Sequence, residues 1–163
     1  MGTRSRIGIW ENGVVRSVYC HWDGYLSHNG KILLENYDAE KTRQLVALGD
    51  LSSLRPEIGV AHPFSVWENN DPNKSKTMTP TEFDQLYGNM TTFYSRDRGE
   101  AVNNAVEHPD FESFLDYCVE STAEYYYIMK DGVWHWGNMY GGSPKYGKLS
   151  VLTANDVREE EYA

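Results

Sequence analysis

The chain has 163 residues, of which 40% are hydrophobic and 13% aromatic, and its formal net charge is −9. A chain of this length can bury a continuous core without disulfides or metal, so we expect a single domain over residues 1–163. The acidic balance argues against direct nucleic-acid binding, which needs a positive footprint. Two distant cysteines outside any CxxC pair, and no apolar run long enough to span a bilayer, predict reduced thiols, a cytoplasmic location and no membrane association.

Hairpins are predicted near both ends of the chain. Asn12-Gly13 joins two alternating apolar segments, and Asp131-Gly132 joins two aromatic-rich segments. Both dipeptides tolerate the positive φ that two-residue hairpin turns require. Each dipeptide therefore predicts an antiparallel strand pair.

Helical patterns and short strands fill the rest of the chain. Apolar residues recur at helical spacing within residues 27–37, and Asp38 can cap a second helix. The capping box at residues 79–82 predicts a third helix. Pro109 opens a fourth, with Cys118 on its buried apolar stripe. Short strands are predicted at residues 89–94 and 149–152.

The order of these elements lacks regular β-α-β alternation, which argues against a doubly wound parallel sheet. We therefore predict an α+β fold: an antiparallel sheet built from the N- and C-terminal hairpins, with helices packed on one face. The polar run at residues 68–77 is predicted to be a mobile loop, and residues 156–163 an acidic C-terminal tail.

The segment from Tyr19 to Tyr25, YCHWDGY, links the first predicted hairpin to the first predicted helix. It gathers aromatic rings, an imidazole, a carboxylate and a glycine at a strand end, where binding residues are often found. A purely structural alternative is open: Trp22 and Tyr25 would form a corner of the core, and Asp23-Gly24 a turn.

Four motifs resemble those of a group of small proteins encoded by bacteriophages and mobile elements. They are TRSRIGI from Thr3, YCHWDGY from Tyr19, LGDLSSL from Leu48 and RDRGE from Arg96. The resemblance spans the N-terminal part of the chain up to RDRGE, together with the Tyr-rich hairpin near the end. It implies a phage or prophage setting, hence the cytoplasm of a bacterial host, and transfers no catalytic assignment. Because small acidic phage proteins often occupy host machinery, the resemblance favours binding functions by association.

Catalytic patterns are weak in this chain. His21 and Asp23 alternate on an extended segment with His28 nearby, but this set is incomplete for a metal centre. Asp97 and Glu100 could act as paired carboxylates, although the adjacent arginines more simply offset their charge. Phosphate-binding glycine loops, a GxSxG elbow and nucleophilic-cysteine signatures are missing from the sequence. We therefore expect no metal, no cofactor and no ordinary hydrolase or kinase.

One binding hypothesis is a non-catalytic inhibitor of host defence. An acidic, aromatic-edged surface would occupy a nuclease or another nucleic-acid-binding protein by imitating duplex phosphates. The carboxylates considered for this surface are Glu35, Asp38, Glu40, Asp50, Asp156, Glu159, Glu160 and Glu161. Plain solubility is the alternative explanation of the acid excess.

The other binding hypothesis is a pocket for a small nucleotide, such as a cyclic-nucleotide immune signal that the protein sequesters or hydrolyses. Aromatic rings would stack on bases, and guanidinium groups would meet phosphates. The candidate ligand- or partner-binding residues for the two hypotheses are Arg4, Arg6, His21, Trp22, Asp23, Tyr25, Arg96, Asp97, Arg98, Trp134 and Trp136. Alternatively, the aromatics of the last hairpin are core packing. Their presence on both faces also suggests self-association.

Overall fold

The computed structural model describes residues 2–64, 78–101 and 104–161. The loop predicted at residues 68–77 lies outside the described residues. The described part of the acidic tail predicted at residues 156–163 belongs to a helix, Ala154–Glu161. Thr153 and Asp156 cap the N-terminus of that helix, and the side chain of each residue accepts the backbone N–H of the other.

Within the described residues, the fold comprises eight strands, five α-helices and one π-helical turn. The strands are β1 (Ser5–Glu11), β2 (Val14–Cys20), β3 (Leu51–Ser53), β4 (Thr92–Phe93), β5 (Val106–His108), β6 (Tyr125–Lys130), β7 (Val133–Asn138) and β8 (Ser150–Val151). The helices are α1 (Lys31–Asn36), α2 (Ala39–Ala47), α3 (Pro80–Tyr87), α4 (Phe111–Glu120) and α5 (Ala154–Glu161). The π-helical turn, Leu26–Gly30, leads directly into α1.

The strands form one mixed sheet in the order β4-β3-β2-β1-β6-β7-β8, and β5 pairs with β2. The α+β class is confirmed. The two hairpins are antiparallel, but they meet through a parallel pair, β1 with β6, and β2 with β3 is also parallel. The predicted antiparallel sheet is therefore a mixed one, mostly antiparallel but with two parallel strand pairs. A parallel pair needs a long crossover connection, which the helices and loops between the hairpins provide.

Both hairpin turns follow from local backbone preference. Asn12 and Gly13 have φ of 53° and 77°, and Asp131 and Gly132 have φ of 53° and 75°. Asn, Asp and Gly reach this region at the lowest cost, so these dipeptides fix where each hairpin reverses.

Helices cover both faces of the sheet. Side chains alternate along a strand, so Ile7 and Ile9 face a cluster that includes Leu33 of α1 and Leu45 of α2. On the other face, Phe114 of α4 packs with residues of β2 and β6 in a second cluster. The predicted placement of helices on one face is therefore wrong. Because both faces of the central strands are covered, polar side chains there must find partners within the protein.

Helix starts follow the predicted caps. The Asp38 carboxylate accepts the Lys41 amide at 2.8 Å, and the Thr79 hydroxyl accepts the Glu82 amide at 3.2 Å. These contacts satisfy backbone donors that the first turn of a helix leaves unpaired.

In the parts of the chain that the structure describes, no helix combines the length and apolarity needed to cross a membrane.

Candidate functional site

The YCHWDGY segment forms a corner between β2 and the π-helical turn, here called the corner (residues 19–25). The backbone amides of His21 and Trp22 extend the pairing with β3 by donating to carbonyls of residues 51 and 52. The chain then turns at Asp23, whose φ is +56°, an uncommon value for a non-glycine residue. Trp22 is left 42% exposed. The corner therefore presents a large aromatic ring to solvent.

Buried hydrogen bonds hold the corner in place. The Asn29 side-chain amide donates to Ser5 Oγ at 3.3 Å, to the Trp22 carbonyl at 3.3 Å and to Cys20 Sγ at 3.4 Å. The Tyr127 hydroxyl donates to the Gly24 carbonyl at 2.6 Å. Asn29 and Tyr127 are fully buried, so these bonds are shielded from water. The corner is thus a fixed support for Trp22.

Tyr19, His21 and Arg4 form a polar group beside Trp22. The Tyr19 hydroxyl lies 2.9 Å from His21 Nδ1, and the His21 and Trp22 rings meet edge to face at 4.6 Å. Burial, together with the nearby Arg4 charge, lowers the pKa of His21. Burial raises the pKa of Tyr19, and Arg4 opposes that rise by charge and hydrogen bonding. At neutral pH the group therefore offers a neutral imidazole, a neutral phenol and a guanidinium.

Asp23 and Tyr25 belong to a second polar group on the other side of the corner. The Tyr25 hydroxyl donates to Asp23 Oδ1 at 3.1 Å, and His28 Nε2 lies 4.0 Å from Asp23 Oδ2. Burial and the Asp23 carboxylate raise the pKa of Tyr25. Arg55 approaches His28 at 3.4 Å. Among the described residues, no group of three or more His, Cys, Asp or Glu side chains is arranged to hold a metal ion.

Arg6 is a buried structural residue, so its predicted contact with phosphate is wrong. It is 2% exposed, its Nε donates to Ser17 Oγ at 2.9 Å, and its guanidinium lies over the Tyr117 ring at 4.6 Å. Ser17 Oγ in turn lies 2.9 Å from His108 Nε2. Burial lowers the pKa of His108 to about 4, and the Arg6 charge contributes to that shift. This network satisfies polar groups beneath α4.

Arg96 and Asp97 stabilise a loop rather than line a cleft, which corrects their predicted binding role. The Asp97 side chain is fully buried and accepts the amides of His62 at 3.1 Å and Phe93 at 2.8 Å. Arg96 donates to Asp97 at 2.9 Å and to the Thr91 carbonyl at 2.9 Å. Their polar groups are committed to these contacts.

Arg98 occupies a more open position than Arg96. Its guanidinium lies 4.7 Å from the centre of the Phe64 ring, and its Nε is 3.8 Å from the Glu100 carboxylate. Its charge also reaches Tyr94, whose pKa is raised chiefly by burial. The Arg98 side chain is about half exposed, whereas the side chains of Arg96 and Asp97 are largely or fully buried.

Trp134 and Trp136 are largely buried, which leaves little of either ring for the predicted stacking on a ligand. They are 4% and 5% exposed. Trp134 Nε1 donates to the Tyr37 carbonyl at 2.9 Å, while the Trp136 ring stacks on Tyr125 with centroids 6.4 Å apart. Both rings lie on the face covered by α1 and α2.

Two of the carboxylates predicted for the acidic surface, Asp50 and Glu160, are used in hydrogen bonds within the protein. Asp50 accepts the Tyr19 amide at 2.9 Å, and burial raises its pKa. Glu160 accepts the Ser27 amide at 2.7 Å and the Leu26 amide at 3.1 Å. These two carboxylates serve the fold, so they do not belong to a surface that imitates phosphates.

A groove that the sequence did not reveal lies where α1 meets α2. This α1–α2 groove has a volume of about 540 Å³, and Tyr37, Met129 and Trp134 contribute to its lining. Glu35 and Asp38 stand exposed at its edge. Glu35 and Asp38 stand close to Tyr37 in the sequence. The β6–β7 turn that faces them in the groove comes from a distant segment of the chain. The groove is therefore a tertiary feature.

The two cysteines are packing residues. Cys20 and Cys118 are fully buried, and burial raises their thiol pKa values to about 11 and about 12. The thiolate is the nucleophilic form, so neither side chain is activated. Cys118 lies on the buried stripe of α4, as predicted.

The chain matches no protein-family model, no curated protein and no solved structure. Its class is therefore defined by architecture: an α+β domain with a mixed eight-stranded sheet covered on both faces.

Proposed function

We propose that the protein is a non-catalytic, phage-type counter-defence protein that binds and inhibits a component of host defence. The target class is a nuclease or another nucleic-acid-binding protein, contacted through an acidic, aromatic-edged surface. The observation that supports this most is the exposed Trp22 ring on a corner held by buried hydrogen bonds. A tryptophan on a pre-ordered support loses little entropy on binding, and such residues commonly dominate interface energies.

Charge supports the choice of target. The net charge of −9 favours encounter with a positively charged surface, such as the groove of a nucleic-acid-binding protein. Asp23 adjoins Trp22 and its side chain is 38% exposed, so a carboxylate accompanies the ring. The corner thus offers an aromatic anchor with an acidic neighbour.

Buried thiols and committed carboxylates favour binding over covalent catalysis. Cys20 and Cys118 have raised thiol pKa values, and Asp97 is surrounded by donors within the protein. A nucleophile needs the opposite conditions: access and a lowered pKa.

The test compares two single alanine variants at exposed apolar residues. Trp22→Ala removes the proposed anchor, and Leu86→Ala, at a residue 54% exposed on α3, is the matched control. A bacterial protein captured by the wild-type chain is purified, and inhibition of its activity on DNA is titrated with each variant. We expect inhibition by wild type and Leu86→Ala, a loss of inhibition with Trp22→Ala, and equal melting temperatures for all three. A captured protein whose activity is unchanged, or equal inhibition by Trp22→Ala, would refute the proposal.

A second candidate function is sequestration or hydrolysis of a small nucleotide at the same corner. It draws on one observation, the Arg4, Tyr19 and His21 group beside an exposed ring that can stack on a base. Native mass spectrometry of protein purified from bacteria, before and after denaturation, tests this function. A retained nucleotide that disappears in Arg4→Gln would favour it over the inhibitor.

A further inference from the structure

The helix α5 is held to the rest of the protein by few side chains. Among its described residues, Val157 is the buried one, and a depression of about 150 Å³ remains between α5 and α1. Glu161 adds a largely exposed ion pair with Lys31 at 3.5 Å, and such pairs contribute little to stability. An element with so little buried apolar surface opens at a smaller free energy than the core does.

The main polar contact of α5 is the one that Glu160 makes with the π-helical turn. Its carboxylate accepts the Ser27 amide at 2.7 Å, the Ser27 hydroxyl at 2.8 Å and the Leu26 amide at 3.1 Å. Tyr25, which precedes the turn, forms no side-chain cap. One side chain of α5 therefore supplies the acceptor that the first amides of this turn require.

The π-helical turn carries a support of the corner. The Asn29 side chain donates to the Trp22 carbonyl at 3.3 Å, and the Asn29 backbone amide donates to the Asp23 carbonyl at 3.2 Å. Both bonds require the turn to keep its conformation, and a single turn of this rare helix type is weakly stable without outside contacts. A continuous path of hydrogen bonds therefore leads from Glu160, through the turn, to Trp22.

We propose that α5 is a releasable latch for the corner. When α5 detaches, Glu160 leaves the amides of the π-helical turn, the turn loosens, and Asn29 no longer fixes Trp22. The sheet and α4 stay folded in this released state, because α4 is anchored on the other face by Phe114 and Cys118. The attachment of α5 thus sets the populations of an ordered and a loosened corner.

The latch goes beyond the binding function proposed for Trp22, and its test requires no partner. It is defined by which parts of the chain open together. A corner that never opens can still anchor a partner through Trp22, and a latched corner need not bind one. Either proposal can therefore fail without the other.

The experiment is native-state hydrogen exchange of the ¹⁵N-labelled full chain, followed by NMR at a series of low urea concentrations. The amides of Leu26 and Ser27 report on the turn, those of residues 158–161 on α5, and that of Ile128 on global unfolding, since β6 lies between β1 and β7. Val157→Ala weakens the anchor of α5. Leu115→Ala is the matched control, because Leu115 packs on α4 in the cluster on the opposite face.

We expect the turn and α5 amides to share one opening free energy, smaller than that of Ile128, and one weak dependence on urea. Val157→Ala should accelerate exchange of both groups by the same factor, about tenfold. Leu115→Ala should accelerate Ile128 and leave both groups unchanged, because α4 is folded in the latched and the released state. Turn amides that exchange only with Ile128, or that Val157→Ala accelerates less than the α5 amides, would overturn the proposal.

A second pair of variants tests the contact itself. Glu160→Gln keeps the shape of the side chain and removes its charge, so it should accelerate exchange at Leu26, Ser27 and α5 together. Glu159→Gln, at an exposed position one residue away, should leave these amides unchanged. Equal effects of the two substitutions would show that the Glu160 carboxylate does not couple α5 to the turn.

Discussion

Glu160 and Ser27 are joined across 133 positions of the chain: the Glu160 carboxylate accepts the Ser27 amide at 2.7 Å and its hydroxyl at 2.8 Å. Leu26 donates a third bond at 3.1 Å. These donors begin the π-helical turn, so a side chain of α5 supplies the cap that this turn lacks locally. A carboxylate suits this position because the amides at a helix start carry partial positive charge.

Glu160→Ala should therefore destabilise the fold by about 2 kcal/mol, because it removes charge-assisted bonds to half-buried donors. Urea unfolding measures the change. Glu159→Ala is the matched control, since within the described part of the chain Glu159 accepts a hydrogen bond from Asn155 alone, at the surface. It should change stability by less than about 0.5 kcal/mol. Equal effects of the two substitutions would contradict the capping role.

The second prediction concerns pH. Burial lowers the pKa of His108 from 6.5 to about 4, so between these values the unfolded chain binds a proton that the folded chain does not. The contribution of His108 to the free energy of unfolding is fully present above its unfolded pKa of 6.5. It decreases as the pH falls towards the folded pKa of about 4, by roughly 3 kcal/mol in total. Urea midpoints measured across this range should fall with pH in wild type.

His108→Gln is the control for that pH dependence. The wild-type minus variant difference isolates His108 from Asp50, whose raised pKa acts in the opposite direction on acidification. A difference that does not change with pH would show that His108 does not carry the effect.

The third prediction concerns thiol reactivity. Because burial raises the pKa values of Cys20 and Cys118 to about 11 and about 12, neither should react with a disulfide reagent at neutral pH in the folded state. Both should react after denaturation. The exposed substitution Glu120→Cys should react at once, which controls for reagent quality. Rapid reaction of the native wild-type protein would contradict the burial of these thiols.

The fourth prediction tests the close approach at Gly24. A Cβ at this position would lie 2.8 Å from Ser5 Cβ and 2.9 Å from the Thr3 carbonyl oxygen. Gly24→Ala should therefore shift the corner and destabilise the protein by about 1–3 kcal/mol. Gly141→Ala is the matched control, because its Cβ would meet nothing within 4 Å. Thermal melting compares the two variants, and equal melting temperatures would contradict the clash.

Local signals predicted much of the secondary structure. The turns at Asn12-Gly13 and Asp131-Gly132, and the caps at Asp38 and Thr79, depend on backbone preferences within a few residues. The parallel pairing of β1 with β6 could not be predicted in this way. It joins segments 120 positions apart, and no adjacent residue encodes it.

The candidate site was only partly predictable for the same reason. Trp22 and Trp134 are alike in a sequence, yet one stands on a corner and the other lies beneath helices. Arg6 is buried because Ser17 and Tyr117, from two other elements, satisfy and cover it. Exposure depends on such distant partners, whereas composition indicates only that aromatic and charged groups are available.

The parallel pairing of β1 with β6 has a consequence for how the chain folds during synthesis. Ser5 lies opposite Tyr125, so the first hairpin cannot complete its sheet until the last quarter of the chain is available. Until then β1 is an exposed edge, and unpaired edges recruit other chains. Contacts this distant in sequence also slow folding. Nascent chains that end before β6 should therefore be prone to aggregation and to proteolysis, which makes the C-terminal hairpin the element that commits the protein to its native state.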